Sequence, residues 1–299
     1  MFTINKNHTH RTHNIKKNKY NVKPCLHIKY SKKKLLIYYE IIALTKRLYT
    51  QIYRRPSTLI AGIIQPLLWL ILFSALFQNA PVLIFTKNIK YGEFLSPGII
   101  MFTAFTGSMN AGLPIIFDRE FGFLNRLLIS PLKNRNSLII SCLINICTIT
   151  ICQIIAILCI SILLFYTKPV INYINGLFYI SILIIVSTAN LSICLAFLLP
   201  GHIEFLAFLL IINLPTLFSS TALAPLSFMP YWLQIVACIN PLTYAIEILR
   251  HIYLNLPLDN TKYIIETIWI NLNLYQSMTI LLTINIINFT IVNYIIKYK

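Results

Sequence analysis

Apolar residues in this chain gather in long runs, and six of them, at 59–77, 98–117, 138–165, 177–199, 205–224 and 275–296, are long enough for a membrane crossing. About 20 apolar residues in a helix cover the roughly 30 Å hydrocarbon layer. The spacing therefore predicts six transmembrane spans. The third run is long enough to tilt or to project from the bilayer. Only PGHIE, residues 200–204, separates the fourth from the fifth, which predicts a tight helical hairpin.

Two further stretches are apolar but cannot span. Residues 35–55, LLIYYEIIALTKRLYTQIYRR, mix apolar and basic positions at helical spacing and stop at Pro56, which cannot continue a helix without breaking its ladder. They read as an interfacial amphipathic helix, with Leu48 and Ile52 toward lipid and Lys46, Arg47, Arg54 and Arg55 near the headgroups. Residues 229–253, MPYWLQIVACINPLTYAIEILRHIY, are interrupted by Pro230, Asn240, Pro241, Glu247 and Arg250. A residue before proline leaves the helical region, so this segment should break into two short helices at Asn240–Pro241. Glu247 and Arg250, three apart on the second piece, can pair. Non-helical backbone at membrane depth must be covered by protein, which favours short helices dipping into the outer leaflet over a seventh span.

Composition fixes the class. Charged residues make up 11% of the chain and hydrophobic ones 57%, with a mean hydropathy of +0.73, whereas a soluble domain carries about a quarter charged residues. The fold class is all-α integral membrane. The formal charge of +17 is concentrated at one end, with 14 of the 25 Lys and Arg in residues 1–55. Residues 1–34 read as a basic disordered tail and 35–299 as the membrane domain. The tail lacks the interleaved aromatics of a nucleic-acid surface, so no nucleic-acid partner is expected. His8, His10 and His13 read as solvated rather than as a metal site, because nothing holds them in place. With the amino terminus inside, the inner segments carry 20 bases and the outer ones 5, the asymmetry of the positive-inside rule. Both termini are expected inside. The first apolar run starts only near Leu35 and lacks a cleavage site, and the tail is poor in Ser, so neither a secretory nor an import sequence is expected. Cys142, Cys147, Cys152 and Cys159 form no CxxC pair and read as buried, inert thiols.

What the chain lacks narrows its function. No GxxxxGK[ST] phosphate cradle is present, so it carries no P-loop ATPase site of its own. Ion-coupled carriers place ionisable side chains at mid-membrane, and none lies well inside any of the six runs. Both points describe a subunit driven by something else. A membrane enzyme and an assembly factor without ATP-driven transport are the alternatives. Against an enzyme, His202 and His251 fall on opposite faces of the expected topology, as do Glu204 and Glu247, so no catalytic group assembles. The polar residues inside spans, Gln65, Asn110, Asn145, Gln153, Asn190, Asn213, Asn285 and Asn288, read first as inter-helix hydrogen bonds. Gln65–Pro66 and Asn213–Leu214–Pro215 are the better candidates for a substrate path, because each proline loosens its helix.

The scarce charge gathers between the second and third spans. In FDREFGFLNRLLISPLKN, residues 117–134, Phe117, Phe121, Leu124 and Leu128 fall on one stripe of a helix, with Arg119 and Arg126 opposite and Pro131 as the stop. This is a short amphipathic helix on the inner face. Its mixed-charge surface suits docking to a soluble partner.

Two motifs together resemble the type-2 membrane domain of ABC transporters, the permeases that pair with a separate ATPase. One is Asp118-Arg119-Glu120, Gly122, Leu124, Arg126, Leu127-Leu128 and Ser130-Pro131 after the second span. The other is residues 225–250, with Pro230 and an Asn-Pro-Leu-Thr-Tyr core from Asn240 and Pro241 to Tyr244, then Glu247 and Arg250. Phe123 and Asn125 depart from the family's pattern, which often has Thr and an acid there. The resemblance implies two six-span halves over two ATPase subunits, export, a coupling helix at 118–130 seated in the ATPase, and broken outer helices between spans five and six. It implies ATP and Mg on the partner and no cofactor on this chain, with membrane lipids around it. The preference for Ile, Asn, Lys and Tyr resembles permeases encoded in red algal plastid genomes. That implies a plastid membrane, with a bacterial inner membrane as the alternative.

Overall fold

The computed structural model describes residues 33–78, 91–124, 126, 136–165, 171–253, 265–266 and 271–298. Almost all of the tail at 1–34 lies outside these residues, as do Asn125, Leu127, Leu128, Ser130 and Pro131. The described chain is nearly all helix, with six helices or helix runs long and apolar enough to cross a membrane. Its sole strand pairing is a two-residue antiparallel ladder, Ile265–Glu266 with Asn271–Leu272.

Helix α1, Lys33–Arg54, ends at a break where Pro56 opens α2, Pro56–Leu76. Span two is built from α3, Tyr91–Met109, a 3-10 turn at Asn110–Gly112, and α4, Leu113–Glu120. Then follow α5, Asn136–Phe165; α6, Ile171–Leu198; α7, His202–Ser219; α8, Tyr231–Ile239; α9, Pro241–Tyr253; and α10, Leu274–Tyr298.

Span two is the axis of the bundle. Leu95, Ile99, Ile100, Met101 and Ala104 are wholly buried, because α2, α5, α6 and α9 surround it. The helix starts seven residues before the expected run. Its opening turns, YGEFLSP, carry Glu93 and two breakers that read as loop, yet Tyr91, Phe94 and Pro97 are buried where α9 and its neighbours pack on the helix. Span five ends at Ser219 rather than at residue 224, since Ser220 is extended and its hydroxyl turns back to the Leu217 carbonyl at 2.7 Å.

The joint in span two has a clear local cause. Pro114 lacks the N–H that would continue the α-helical ladder, so the chain tightens and the Leu113 N–H bonds the Asn110 carbonyl instead. Ser192 on α6 splints the joint. Its hydroxyl donates to the Met109 carbonyl and accepts the Gly112 N–H at 2.9 Å. Gly112 permits this approach, because a Cβ there would lie 2.6 Å from the Ser192 carbonyl oxygen.

Two expectations are corrected by packing. Leu48 is 4% exposed on a helix that packs against α5, so it does not form the lipid face of α1, while Ile52 is only half-buried. A helix lying on a bundle gives its best-packing aliphatic residues to protein. The thiols are not uniformly buried, since Cys152 and Cys159 lie on the outer surface of α5.

Candidate coupling site

At the end of α4, three consecutive charged residues each reach a different element. Asp118 pairs with Arg47 of α1. Arg119 donates to the Ala196 carbonyl at 3.0 Å, to that of Leu199, and to that of Pro200 at 2.7 Å. Glu120 accepts the backbone N–H of His202 at 2.6 Å and lies 2.5 Å from its Nδ1. A carboxylate only accepts, so Nδ1 carries the proton in this contact.

The logic is that of helix ends. The last carbonyls of α6 have no intrahelical partners and carry partial negative charge, which Arg119 satisfies; the first N–H groups of α7 carry the opposite, which Glu120 satisfies. One Arg-Glu dipeptide thus closes the α6–α7 hairpin from outside it. Phe117 adds an apolar contact, its ring 5.4 Å from that of His202 and 6.1 Å from that of Phe121. We call this arrangement the clasp.

The expected amphipathic helix is therefore not continuous from Asp118. Asp118 to Glu120 finish span two, the chain turns at Phe121–Gly122, and Phe123, Leu124 and Arg126 are helical again. The stripe of Phe117, Phe121, Leu124 and Leu128 is interrupted at Gly122, whose φ is +68°, a left-handed conformation that glycine adopts without steric cost. Beyond the turn, Leu124 is buried, while Phe121 is 81% exposed and Arg126 is also exposed. Arg47 stacks over Phe123, its guanidinium carbon 3.9 Å from the ring centre, which joins α1 to the new segment as well as to Asp118.

The other end of span two carries the second motif. Helices α8 and α9 meet at 88°. Asn240 makes the corner: its Oδ1 accepts the Leu242 N–H at 3.0 Å as an N-cap, and its Nδ2 donates to the Thr216 carbonyl at 3.0 Å and to Ser219 Oγ at 3.2 Å. Pro241 takes the first helical position, where no N–H is needed. The Tyr244 hydroxyl donates back to the Cys238 carbonyl at 2.6 Å, and Pro230 precedes α8 in extended backbone.

Arg250 is buried, paired with Glu247 at 2.5 Å, donating to the Thr221 carbonyl at 2.5 Å and lying 3.8 Å over the Phe94 ring. The Tyr91 hydroxyl donates to the Leu223 carbonyl at 2.9 Å. The clasp ties the start of α7 to span two, and this cluster ties to it the chain just past the end of α7.

The polar residues inside spans differ in what they do. Asn288 bonds Ser187 across helices at 2.8 Å, but Asn110 and Asn285 bond carbonyls of their own helices. The side-chain oxygens of Asn145, Gln153 and Asn213 are buried with no partner among the described residues. Gln65 is exposed on α2.

Sequence reasoning missed Arg47, which it placed among the headgroups, and His202, Ser192, Gly112 and Thr221. Backbone carbonyls and N–H groups do most of the accepting and donating at these sites, and they leave no mark on residue identity.

The sequence profile of the family described as ABC-2 type transporter matches residues 39–254. The chain is 50% identical over 261 residues to a protein of Porphyra purpurea named transport permease ycf38, covering 87% of this chain and 89% of that one. It is 46% identical over 258 residues to the protein of the same name in Cyanophora paradoxa, covering 86% and 89%. A more distant relative, 25% identical over 213 residues, is a Mycobacterium tuberculosis protein named doxorubicin resistance ABC transporter permease DrrC, with 69% and 74% covered.

Proposed function

Because this chain belongs to the ABC-2 type transporter family, we propose that it is the membrane-spanning subunit of an ATP-driven exporter, worked by a separate ATPase. The clasp is the observation that carries this reading. The segment from Phe121 to Arg126 is bound through Asp118, Arg119, Glu120 and Phe123 to α1, α6 and α7. A partner that moves this segment displaces three elements together, whereas a loop solvated by free charges would transmit nothing.

In this reading Asp118, Arg119 and Glu120 are internal couplers, not docking residues, and the exposed Phe121 and Arg126 meet the ATPase; Leu127, Leu128, Ser130 and Pro131, outside the described residues, are proposed as further contacts with it. ATP and Mg are held by the partner. The clasp end and both termini face the compartment of synthesis, the broken hairpin faces away from it, and a plastid membrane fits the relatives. A second permease half completes the path. Asn213, with its unpartnered oxygen on a proline-loosened helix, and Gln65 on α2 are the residues offered to it.

The test is co-reconstitution. Arg126→Glu should insert normally but lose the co-purifying ATPase and transport together. Retention of both would sink the docking assignment. A tag after Asn88 should be labelled from outside and one after Asn134 from inside, and the reverse labelling would overturn the orientation.

A further inference from the structure

Helix α1 has two unlike faces. Thr45 and Leu48 are buried toward α5, and the Tyr49 hydroxyl bonds Thr148 of α5 at 2.7 Å. Beside that face, Tyr38, Ile42, Lys46 and Tyr53 fall at i, i+4, i+8 and i+15, an exposed stripe about 80° wide. Tyr53 is 87% exposed and Tyr38 62%, and Arg54 and Arg55 are exposed at the helix end. The stripe has no acid, and the sole acid of the helix, Glu40, lies off it.

Location restricts what can cover this face. Helix α2 has 21 residues, about 31 Å at 1.5 Å each, and so crosses a bilayer alone. Because α1 ends at the break at Arg55, its last turn lies where that crossing begins, at the membrane surface. Tyrosine rings settle at the headgroup level, apolar body inward and hydroxyl in water. Bases beside them are drawn to negative headgroups. A protein partner would be favoured by a flat aliphatic patch or by mixed charges, and the stripe has neither.

We propose that the Tyr38–Tyr53 face of α1 is a binding surface for anionic lipid headgroups, and that Arg47 on the same helix relays its occupancy through Asp118 to the clasp. The Arg47 relay rests on the permease reading; the lipid contact does not. A membrane poor in anionic lipid leaves α1 loosely seated, so displacement of the clasp is absorbed by α1 and transport per ATP falls.

The experiment places the full chain in nanodiscs of phosphatidylcholine alone, or with phosphatidylglycerol added, and follows backbone hydrogen exchange. Each base near an anionic surface contributes roughly a fivefold preference, so exchange across residues 38–53 should slow by more than tenfold on adding phosphatidylglycerol. Residues 136–165 should not change. Lys46→Gln, Arg54→Gln and Arg55→Gln together should abolish the difference, and Tyr38→Ala with Tyr53→Ala should reduce protection in both discs. Equal exchange in the two lipids overturns the proposal, as does protection that appears in neutral lipid only when the ATPase or a second copy is added.

The relay is read separately. Arg47→Gln should keep the exchange difference but lose any stimulation of coupled ATP hydrolysis by phosphatidylglycerol. Stimulation surviving in that variant overturns the relay. An exchange difference in a chain that neither binds nor stimulates any ATPase would leave the lipid surface standing while counting against the permease reading.

Discussion

Replacing Arg119 by Met keeps most of the stem and removes the charge and every donor. Arg119 serves three carbonyls at the end of α6. A hydrogen bond to a charged group contributes about 1.5–3 kcal/mol net, but only where water cannot take its place. The Pro200 carbonyl is at an exposed contact and rehydrates, whereas those of Ala196 and Leu199 are part-buried and do not do so freely. Two bonds are therefore lost, and the cation at a helix C-terminus adds roughly 0.3–1 kcal/mol. The total is about 3–7 kcal/mol. At roughly 2–4 °C per kcal/mol for a chain of this size class, thermal unfolding of the reconstituted protein should begin about 6–28 °C lower. Hydrogen exchange should rise at residues 194–200 and not in α10. Arg119→Lys should recover part of the loss, because an ammonium cannot span three carbonyls as a planar fork does. An unchanged melting temperature in Arg119→Met would refute the claim that this residue closes the hairpin.

The other predictions use the same assay. Gly112→Ala puts a methyl against the Ser192 carbonyl oxygen, Phe205 and Ala196, all at 3.0 Å or less, and should destabilise by about 1–3 kcal/mol as overpacking does. Gly122→Ala meets nothing within 4 Å, so only its backbone conformation resists, and the loss should stay near 1 kcal/mol while coupled ATP hydrolysis falls. Arg250→Met strands Glu247 without its partner and should cost about 3–5 kcal/mol, whereas adding Glu247→Leu should restore much of it; additive losses would show that the pair is not coupled.

The spans were readable because bilayer thickness sets a length that few other constraints imitate. Glu247 and Arg250 were readable for a similar reason, since three residues is one helical turn. The early start of span two was hidden by Glu93, Gly92 and Pro97, which look like loop until α9 is laid over them. Pro114 stood in plain view inside an apolar run, but a proline alone does not say whether a helix kinks, tightens or ends, and Ser192 decides that from another span. The clasp was half legible. Its charges were conspicuous, but their partners are mostly main-chain atoms of residues 80 positions away. A charge cluster in an apolar chain therefore suggests an outside partner when helix ends inside the molecule are equally good ones.

Span two meets α7 at both ends: Glu120 holds its start through His202, while Arg250, over Phe94, holds the chain just after its end at Thr221. Were span two a straight rod, its roughly 30 residues would carry any displacement about 45 Å from one end to the other. The joint at Asn110–Gly112 changes that. Helix α4 can swing with the clasp while α3, buried on nearly every side, stays fixed, and the cost of swinging is set by the two bonds of Ser192. Motion that α4 does not pass to α3 travels through α1, which Asp118 holds, or into the bundle through the spans α6 and α7, to which Arg119 and Glu120 are tied. Of these, α7 is the shorter and the more exposed, and Pro215 interrupts its ladder near the far end. If a partner pulls the clasp as proposed, span five is the part of the bundle expected to yield. That places Asn213, two residues before that proline, where a conformational change would be felt most.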